Sequence, residues 1–275
     1  MHIHTTIASL RQALQGSGAR ALVPTMGNLH AGHVALMELA KSRSDCVVAT
    51  LFVNRLQFRP SDDFDKYPRT FAADCAQLEA VGVTHLFAPD ESEMYPQPQR
   101  YLVLPPSEQD GVLEGEFRPG HFRGVATVVL KLLHIVEPAL AVFGKKDYQQ
   151  LMVIRNMVAE LNLPIEIAAG ETVRAADGLA LSSRNGYLST AERTEAPHLA
   201  RILAELRMSI IKGIDDFARL EQEAMAELRA SGWIPDYVAV RKKLDLQLPT
   251  AHDSGLVILA AALLGSTRLI DNLEV

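Results

Sequence analysis

Short apolar runs alternate with helical patterns up to about residue 170 of the chain. The run at 46–53 is nearly continuously apolar, as expected of a strand that is buried on both faces of a parallel sheet. Further strands are predicted at 21–23, 85–87, 140–143 and 165–167, and helices at 34–43, 71–80, 122–136 and 148–161. Thr70 and Asp147 are predicted N-caps, and Gly82 is a predicted helix stop. This alternation indicates a doubly wound α/β domain, whose right-handed crossovers place every loop from strand to helix on one edge of the sheet.

The pattern changes in the last third of the chain. Ser189 and Glu192 form a capping box that predicts a long helix reaching residue 211. Helices followed by strands indicate a separate, smaller α+β domain. The further predicted elements are a helix at 215–230 and strands at 237–240 and 256–262. We therefore predict two domains, at 1–174 and 175–275.

Composition and charge are those of an ordinary globular protein. The 275 residues are 48% hydrophobic and carry a formal net charge of −6, which argues against broad contact with nucleic acid or an anionic membrane. Cys46 and Cys75 have no CxxC spacing, so we expect neither a disulfide framework nor a zinc site, but a reducing cytoplasm. The first residues lack the apolar core of a signal peptide, and no apolar run is long enough to span a bilayer. We expect a soluble, cytoplasmic protein.

The first candidate site is the segment 24–33, which leads from the first predicted strand into a helix. A loop of this kind presents unpaired N–H groups and the positive end of a helix dipole to an anion. Gly27 and Gly32 allow close approach of the backbone to a ligand. His30 and His33 can face the same side of the helix, where imidazolium groups would stabilise charge that develops on phosphate oxygens. The alternative is a pair of ordinary surface histidines.

The tetrapeptide His30-Ala31-Gly32-His33 resembles the signature of the nucleotidylyltransferase superfamily. That resemblance indicates the type of reaction and leaves the substrate open.

A second candidate site follows the buried strand at 46–53. Asn54 and Gln57 offer amide donors and acceptors suited to a small hydroxylated or carboxylate substrate, or are simply polar residues at a strand end. Asp62, Asp63 and Asp65 come next. Their carboxylates would either help to hold Mg²⁺ beside a triphosphate or form a solvated loop.

Arg118 opens a third candidate site at the start of the predicted helix 122–136. An arginine in this position either clamps a carboxylate in a bidentate manner or pairs with its acidic neighbours Glu114 and Glu116.

Two more stretches suit phosphate binding. The stretch 143–150 repeats the order of strand, glycine turn, lysine and helix, with Lys146 placed to reach a phosphate and Gln150 one turn into the helix. Ser182, Ser183 and Arg184 follow a turn signal and suit the outer phosphates of ATP, although serine-rich turns are common.

Together these stretches resemble the pantoate–β-alanine ligase family, the pantothenate synthetases. The matching motifs lie, in order, at 24–27, 118–122, 144–150, 177–185 and 268–272. The resemblance implies a Rossmann-like domain followed by a smaller lid domain, in a homodimer. It also implies a reaction in which the carboxylate of pantoate attacks the α-phosphate of MgATP to give pantoyl adenylate and pyrophosphate. The amine of β-alanine then displaces AMP and gives pantothenate.

The resemblance also implies roles for individual residues. His33 matches the family's proton donor, and His30, Asn54 and Lys146 match its other catalytic positions. Gln57 and Gln150 would bind pantoate, with Gln57 also near β-alanine, and Mg²⁺ would be held mainly through the ATP phosphates without assigned protein ligands. The residues expected to contact ATP are Met26, Gly27, Asn28, Leu29, His30, Ala31, Gly32, His33, Gly144, Lys145, Lys146, Asp147, Val173, Leu181, Ser182, Ser183 and Arg184.

The chain departs from the family pattern at three positions. Arg55 stands where the family usually has proline, which removes a fixed φ angle next to Gln57. Lys145 replaces a usual glutamate and adds charge beside the phosphate site, and Ala175 stands where many members have glutamate.

Two other functions compete with this interpretation. One is a different adenylyl- or cytidylyltransferase that acts on a phosphorylated substrate, and the other is a non-catalytic nucleotide-binding or scaffolding protein with the same fold. A fragment of an aminoacyl-tRNA synthetase is disfavoured, because the chain has no basic anticodon-binding region.

Overall fold

The structure, a computed structural model, describes residues 1–59, 62, 64–250 and 253–275. It consists of two compact units. The first unit comprises Met1–Lys145 and Gln150–Glu171, and the second comprises Lys146–Gln149 and Thr172–Val275.

Within the described residues, the first unit contains a six-stranded sheet in which all neighbouring strands are parallel. The strands are β1 (His2–His4), β2 (Arg20–Thr25), β3 (Cys46–Leu51), β4 (His85–Phe87), β5 (Leu140–Gly144) and β6 (Glu166–Gly170). Leu22 and Val48 are fully buried in the central strands β2 and β3. Helices cover both faces of such strands, which explains why their sequences are almost entirely apolar. The predicted doubly wound parallel sheet is confirmed.

Helices connect these strands, with three-residue 3-10 turns at Arg55–Gln57 and Lys145–Asp147. The helices are α1 (Ile7–Ala13), α2 (Ala31–Lys41), α3 (Phe71–Val81), α4 (Glu91–Met94), α5 (Ser107–Asp110), α6 (Glu114–Phe117), α7 (His121–Val136) and α8 (Tyr148–Glu160). Gly82 ends α3 with a φ of 84°, as predicted, because glycine adopts the left-handed conformation without steric cost. In the described parts of the chain, no helix combines the length and apolarity needed to cross a membrane.

Several local predictions for the first unit need correction. Thr70 stands at the N-cap position of α3, but its hydroxyl bonds to a side chain within the helix rather than capping it. A 3-10 turn runs directly into α8, in place of the single N-cap predicted at Asp147. The strand β1 and the helix α1 were not predicted; three residues are too few for a strand to show an alternating pattern.

The strand order is β1-β4-β3-β2-β5-β6, so β2 lies between β3 and β5. From β2 the chain moves to β3 on one side, and later returns to β5 on the other. This is the switch point of a doubly wound sheet, where ligands bind outside the carboxyl ends of the strands. The loops that follow β2 and β3 carry the first and second candidate sites, and Lys145 of the stretch 143–150 follows β5. The parallel sheet brings these three positions to one edge.

The second unit combines helices with a three-stranded antiparallel sheet in the order β7-β8-β9. Its core includes Leu228, Trp233 and Ile258, each at most 2% exposed. The predicted smaller α+β part of the chain is confirmed. Its elements are α9 (Thr190–Glu195), α10 (His198–Ile211), α11 (Phe217–Ala230), β7 (Ile234–Lys242), β8 (Leu256–Leu264) and β9 (Thr267–Glu274).

Two predictions for this unit are wrong in detail. The capping box of Ser189 and Glu192 forms, but the single helix predicted up to residue 211 is interrupted between Glu195 and His198. Pro197 lies at this interruption, and proline has no N–H to continue a helical ladder. The strand β9 was not predicted, because its charged and polar residues hide the period-two pattern.

Candidate active site

The segment between β2 and α2 is held on a fixed path by buried hydrogen bonds. The Thr25 hydroxyl donates to the Thr50 carbonyl at 2.6 Å and accepts from the Gly27 N–H at 3.3 Å. Gly27 then has a φ of 89° and Asn28 a φ of 52°, so two consecutive residues are left-handed. A Cβ atom at Gly27 would lie 3.1 Å from the Asp74 carboxylate, so both the backbone angle and the space favour glycine there.

Asp74 on α3 anchors this segment. Its carboxylate is buried and accepts the Asn28 N–H at 3.0 Å and the Leu29 N–H at 2.8 Å. The Thr70 hydroxyl donates to the same carboxylate at 3.1 Å. The sequence predicts that the N–H groups of this segment face a bound anion, but a carboxylate of the protein itself occupies two of them. The N-terminus of α2, with its two histidines, is therefore the part of the segment whose candidate role as an anion site is unaffected by Asp74.

Both histidines take part in capping α2. His30 Nδ1 accepts from the Gly32 N–H at 3.1 Å, and His33 Nδ1 accepts from the His30 N–H at 3.3 Å. A ring nitrogen that accepts a hydrogen bond carries no proton, so each ring is neutral with its proton on Nε2. The ring centroids lie 4.1 Å apart, which confirms that the two residues face the same side. The expected imidazolium pair is therefore a pair of neutral rings, each with an Nε2–H donor.

Asn54 orients Gln57 in the turn that follows β3. Asn54 is 1% exposed, and its Nδ2 donates to Gln57 Oε1 at 3.1 Å and to the Gly124 carbonyl at 3.1 Å. The Tyr95 hydroxyl donates to Asn54 Oδ1 at 2.7 Å. Gln57 Nε2 donates to Met26 Sδ at 3.3 Å, which links this turn to the segment between β2 and α2. Since both ends of its amide are bonded within the protein, Asn54 has a positioning role in this structure.

The start of α7 supports the same turn from behind. A Cβ atom at Gly124 would lie 2.3 Å from the Leu56 carbonyl oxygen, so the close approach requires glycine. Arg118 Nη1 lies 3.2 Å from His121 Nε2, and because arginine can only donate, this ring nitrogen is the acceptor. His121 Nδ1 is then protonated and donates to the Gln57 carbonyl at 3.0 Å.

Arg118 pairs with its acidic neighbours, which was one of the two interpretations of the third candidate site. Its guanidinium lies 3.9 Å from Glu114 and 3.8 Å from Asp62. Burial opposes the ionisation of Asp62, but hydrogen bonds from Arg59 and the charges of Arg59 and Arg118 outweigh it and lower its pKa.

The acidic stretch therefore includes one carboxylate, Asp62, that is engaged by two arginines. Asp65 is exposed, and Asp63 lies outside the described residues. Among the residues that the structure describes, no three histidine, cysteine or acidic side chains are grouped so that they could hold a metal ion.

The loop after β5 lies at the same edge of the sheet. Gly144 ends β5, and Lys145 Nζ lies 2.6 Å from Glu171 Oε1. Lys145, which stands in place of the family's usual glutamate, thus has a carboxylate partner within the first unit. Gln150 is half-buried in the first turn of α8.

The remaining predicted ATP contacts lie in the second unit. The Leu181 N–H donates to the Val173 carbonyl at 3.0 Å, so these two residues are directly paired. Ser182 caps a 3-10 turn (Ser183–Tyr187) by accepting the Arg184 N–H at 3.2 Å. The structure thereby brings Val173, Leu181 and the two serines with Arg184 onto one folded segment.

Neighbouring residues of β9 hold this segment and the Lys146 turn. Arg174 makes a bidentate pair with Asp271 at 2.6 and 2.9 Å, and it also donates to the Gly178 carbonyl at 3.0 Å. Asn272 Nδ2 donates to the Lys146 carbonyl at 2.7 Å. The side chain of Lys146 has its Nζ 3.9 Å from the carboxylate of the adjacent Asp147.

Sequence reasoning missed Asp74 and Tyr95 and gave no role to Asp271. A detectable signal existed for Asp74, which lies four residues before the buried Leu78 and so places a carboxylate on the apolar face of α3. No local signal marks Tyr95, because its partner Asn54 is 41 residues away in the sequence.

A sequence profile of the pantoate-beta-alanine ligase family matches residues 2–274. The chain belongs to this family. Two solved structures of pantothenate synthetase from Thermus thermophilus are 43% identical to it, cover 99% of both chains and superpose with a TM-score of 0.95. A pantoate-beta-alanine ligase from Francisella tularensis, solved in complex with beta-gamma ATP and β-alanine, is 34% identical. That match covers 99% of this chain and 97% of the relative, with a TM-score of 0.85.

The chain is therefore an enzyme with a Rossmann-like core, a ligase that joins pantoate to β-alanine. This assignment selects among the functions that the histidine signature leaves open and rejects the non-catalytic scaffold.

Proposed function

We propose that the enzyme makes pantothenate in two steps, with ATP as the activating substrate and pantoyl adenylate as the intermediate. The observation that carries this proposal is the arrangement on neighbouring loops of two neutral imidazoles and an oriented amide, from His30, His33 and Gln57. The relative from F. tularensis was solved with beta-gamma ATP and β-alanine, which supports these two substrate classes for this chain.

In the first step, a carboxylate oxygen of pantoate attacks the α-phosphorus of ATP. A new P–O bond forms, the bond from the α-phosphorus to the bridging oxygen of the β-phosphate breaks, and pyrophosphate leaves with the electron pair. The nucleophile is already anionic, so the step needs hydrogen-bond donors and positive charge around the phosphates more than it needs a base. His30 and His33 supply Nε2–H hydrogen-bond donors, with His33 at the position of the family's proton donor, and Lys146 supplies charge.

In the second step, the amine of β-alanine attacks the acyl carbon of pantoyl adenylate. A C–N bond forms, the C–O bond to AMP breaks, and the amine nitrogen releases a proton. Gln57 serves both steps in this scheme, because it binds pantoate together with Gln150 and also lies next to β-alanine.

The residues proposed to contact ATP lie on several segments of the chain. In the first unit they are Met26, Gly27, Asn28, Leu29, His30, Ala31, Gly32, His33, Gly144 and Lys145. In the second unit they are Lys146, Asp147, Val173, Leu181, Ser182, Ser183 and Arg184.

Mg²⁺ fits this scheme through the phosphates of ATP. The ion usually keeps several waters and binds substrate phosphates, with few protein carboxylates. Two carboxylates, Asp62 and Asp74, are already engaged by arginines or by backbone N–H groups. When bound, Mg²⁺ would neutralise part of the phosphate charge.

We also propose a cytoplasmic homodimer that binds neither nucleic acid nor membranes. The support is the family resemblance for the dimer and the net charge of −6 for the absence of polyanionic partners. The division of the chain into functional domains at 1–174 and 175–275 is likewise a proposal.

Pyrophosphate exchange tests the adenylate directly. With pantoate, ATP and Mg²⁺ but without β-alanine, the enzyme should exchange labelled pyrophosphate into ATP. Exchange should depend on pantoate, because only an adenylate that forms reversibly returns the label to ATP. Exchange without pantoate, or none with it while pantothenate is still formed, would rule out the proposed intermediate.

Substitutions test the roles of two residues. His33→Ala and Lys146→Ala should each slow single-turnover adenylate formation by at least about tenfold, roughly 1.4 kcal/mol of barrier. The matched controls are His134→Ala and Lys212→Ala, at exposed positions outside the proposed site, which should keep the parent rate. Parent rates in both test variants would show that the assigned roles are wrong.

A further inference from the structure

Tyr95 lies directly behind the turn that carries Gln57. It follows α4, and its hydroxyl donates to Asn54 Oδ1 at 2.7 Å. The ring contacts two side chains: its centroid is 5.9 Å from that of Phe52 and 4.7 Å from Lys131 Nζ. The phenol is therefore held by contacts of its ring and by the hydrogen bond of its hydroxyl to the Asn54 amide.

The phenol and a backbone N–H meet the same atom of the Asn54 amide. Burial, with a smaller contribution from the negative charge of Glu91, raises the pKa of Tyr95, so the group stays protonated. The Leu56 N–H, which can only donate, also lies 3.4 Å from Asn54 Oδ1. Two donors therefore fix this atom of Asn54 as the oxygen.

The other end of the Asn54 amide must then be the NH₂ group. It donates to the Gly124 carbonyl at 3.1 Å, and a backbone carbonyl can only accept, so this contact agrees independently with that orientation. The same NH₂ group donates to Gln57 Oε1 at 3.1 Å. The oxygen of the Gln57 amide consequently faces Asn54, and its NH₂ group faces Met26 Sδ at 3.3 Å.

This orientation suits an acidic substrate. A thioether sulfur is a weak acceptor, so the Gln57 NH₂ group exchanges it at little cost for a carboxylate or hydroxyl oxygen. A reversed amide would instead present its carbonyl oxygen to the substrate carboxylate, which is repulsive.

We propose that Tyr95 is a positioning residue, which acts through Asn54 to keep the NH₂ group of Gln57 directed at the acid substrate. The inference rests on the proposed role of Gln57 in pantoate binding. Tyr95 itself does not touch the reacting atoms in this scheme. Its contribution is to make one of the two amide orientations of Gln57 strongly preferred.

The test is the variant Tyr95→Phe, which keeps the ring and removes only the donor. We expect the KM for pantoate to rise about tenfold, the size expected when one charge-assisted hydrogen bond is weakened, while the KM for ATP stays within about twofold. The matched control is Tyr101→Phe, the same chemical change at a side chain that is 92% exposed, which should alter neither KM. A rise of both KM values in Tyr95→Phe, or of neither, would overturn the proposal.

A double-mutant cycle separates positioning from general loosening of the fold. In a Gln57→Ala background, Tyr95→Phe should produce no further change in the KM for pantoate, because the group it orients is gone. Additive effects would mean that Tyr95 acts by another route. Pantoate-dependent pyrophosphate exchange by the parent enzyme is measured alongside, so that failure of the proposed function is seen separately from failure of this inference.

Discussion

Replacing Asp74 should release the segment that connects β2 to α2. Each carboxylate oxygen of Asp74 accepts one backbone N–H, Oδ2 that of Asn28 and Oδ1 that of Leu29. In Asp74→Asn one oxygen becomes an NH₂ group that faces an N–H donor, so one of these bonds is lost. In Asp74→Ala both are lost.

The number of backbone N–H groups that lose their acceptor sets the size of the loss in stability. A buried donor left without an acceptor costs about 1–3 kcal/mol. Asp74→Asn should therefore lower the free energy of unfolding by about 1–3 kcal/mol, and Asp74→Ala by roughly twice as much. Because Gly27 and Asn28 hold left-handed angles in this segment, we expect it to leave its present path once Asp74 no longer binds it. The KM for ATP should then rise in both variants, and more in the alanine variant.

Urea unfolding and steady-state kinetics on the same preparations provide the assay. The matched control is Gln77→Ala on the same helix, whose Nε2 donates to the Leu29 carbonyl at 3.2 Å. Its loss removes one neutral hydrogen bond and should cost at most about 1.5 kcal/mol. If Asp74→Asn were as stable as the parent and bound ATP equally well, the carboxylate would not be what holds this segment.

Three further predictions concern other parts of the chain. Gly124→Ala should raise the KM for pantoate and lower the free energy of unfolding by about 1–3 kcal/mol, because its Cβ would lie 2.3 Å from the Leu56 carbonyl oxygen. A structure of the variant in which the turn Arg55–Gln57 has not moved would refute this. Asp271→Asn should raise the KM for ATP by breaking the bidentate pair with Arg174; an unchanged KM would contradict the anchoring role. Burial and neighbouring charge lower the pKa values of His4 and His85, so the unfolded chain binds more protons below pH ~6.5. Stability should therefore fall from about pH 7 to 5 in urea titrations, and less steeply once both are glutamine.

Elements marked by local chemistry could be predicted from the sequence. The apolar run of β3, the left-handed stop at Gly82 and the capping box at Ser189 each depend on neighbouring residues only, and all three form. The edge of the sheet that carries His30 and Gln57 could also be predicted. In a parallel sheet with right-handed crossovers, every loop from strand to helix lies at the carboxyl edge.

Contacts between distant positions could not be predicted in this way. Asp74 binds a segment 46 residues earlier, and Arg174 binds a carboxylate 97 residues later. No periodicity connects such pairs, since their proximity is produced by the tertiary fold. The break at Pro197 could have been predicted from the sequence. Proline has no N–H to donate within a helix, and this is a stronger local signal than the helical pattern on either side of it.

The protonation of the two histidines shows why this distinction matters for mechanism. The sequence suggests a positively charged pair, but in the structure both Nδ1 atoms accept hydrogen bonds that cap α2. Protonating either ring would break a cap and place a cation at the positive end of a helix dipole. His30 and His33 can then donate hydrogen bonds to phosphate oxygens but add no net charge, so the charge that ATP binding requires has to come from lysines, arginine and Mg²⁺. It follows that His33→Ala should reduce the rate of adenylate formation more than the affinity for ATP, whereas Lys146→Ala should reduce both.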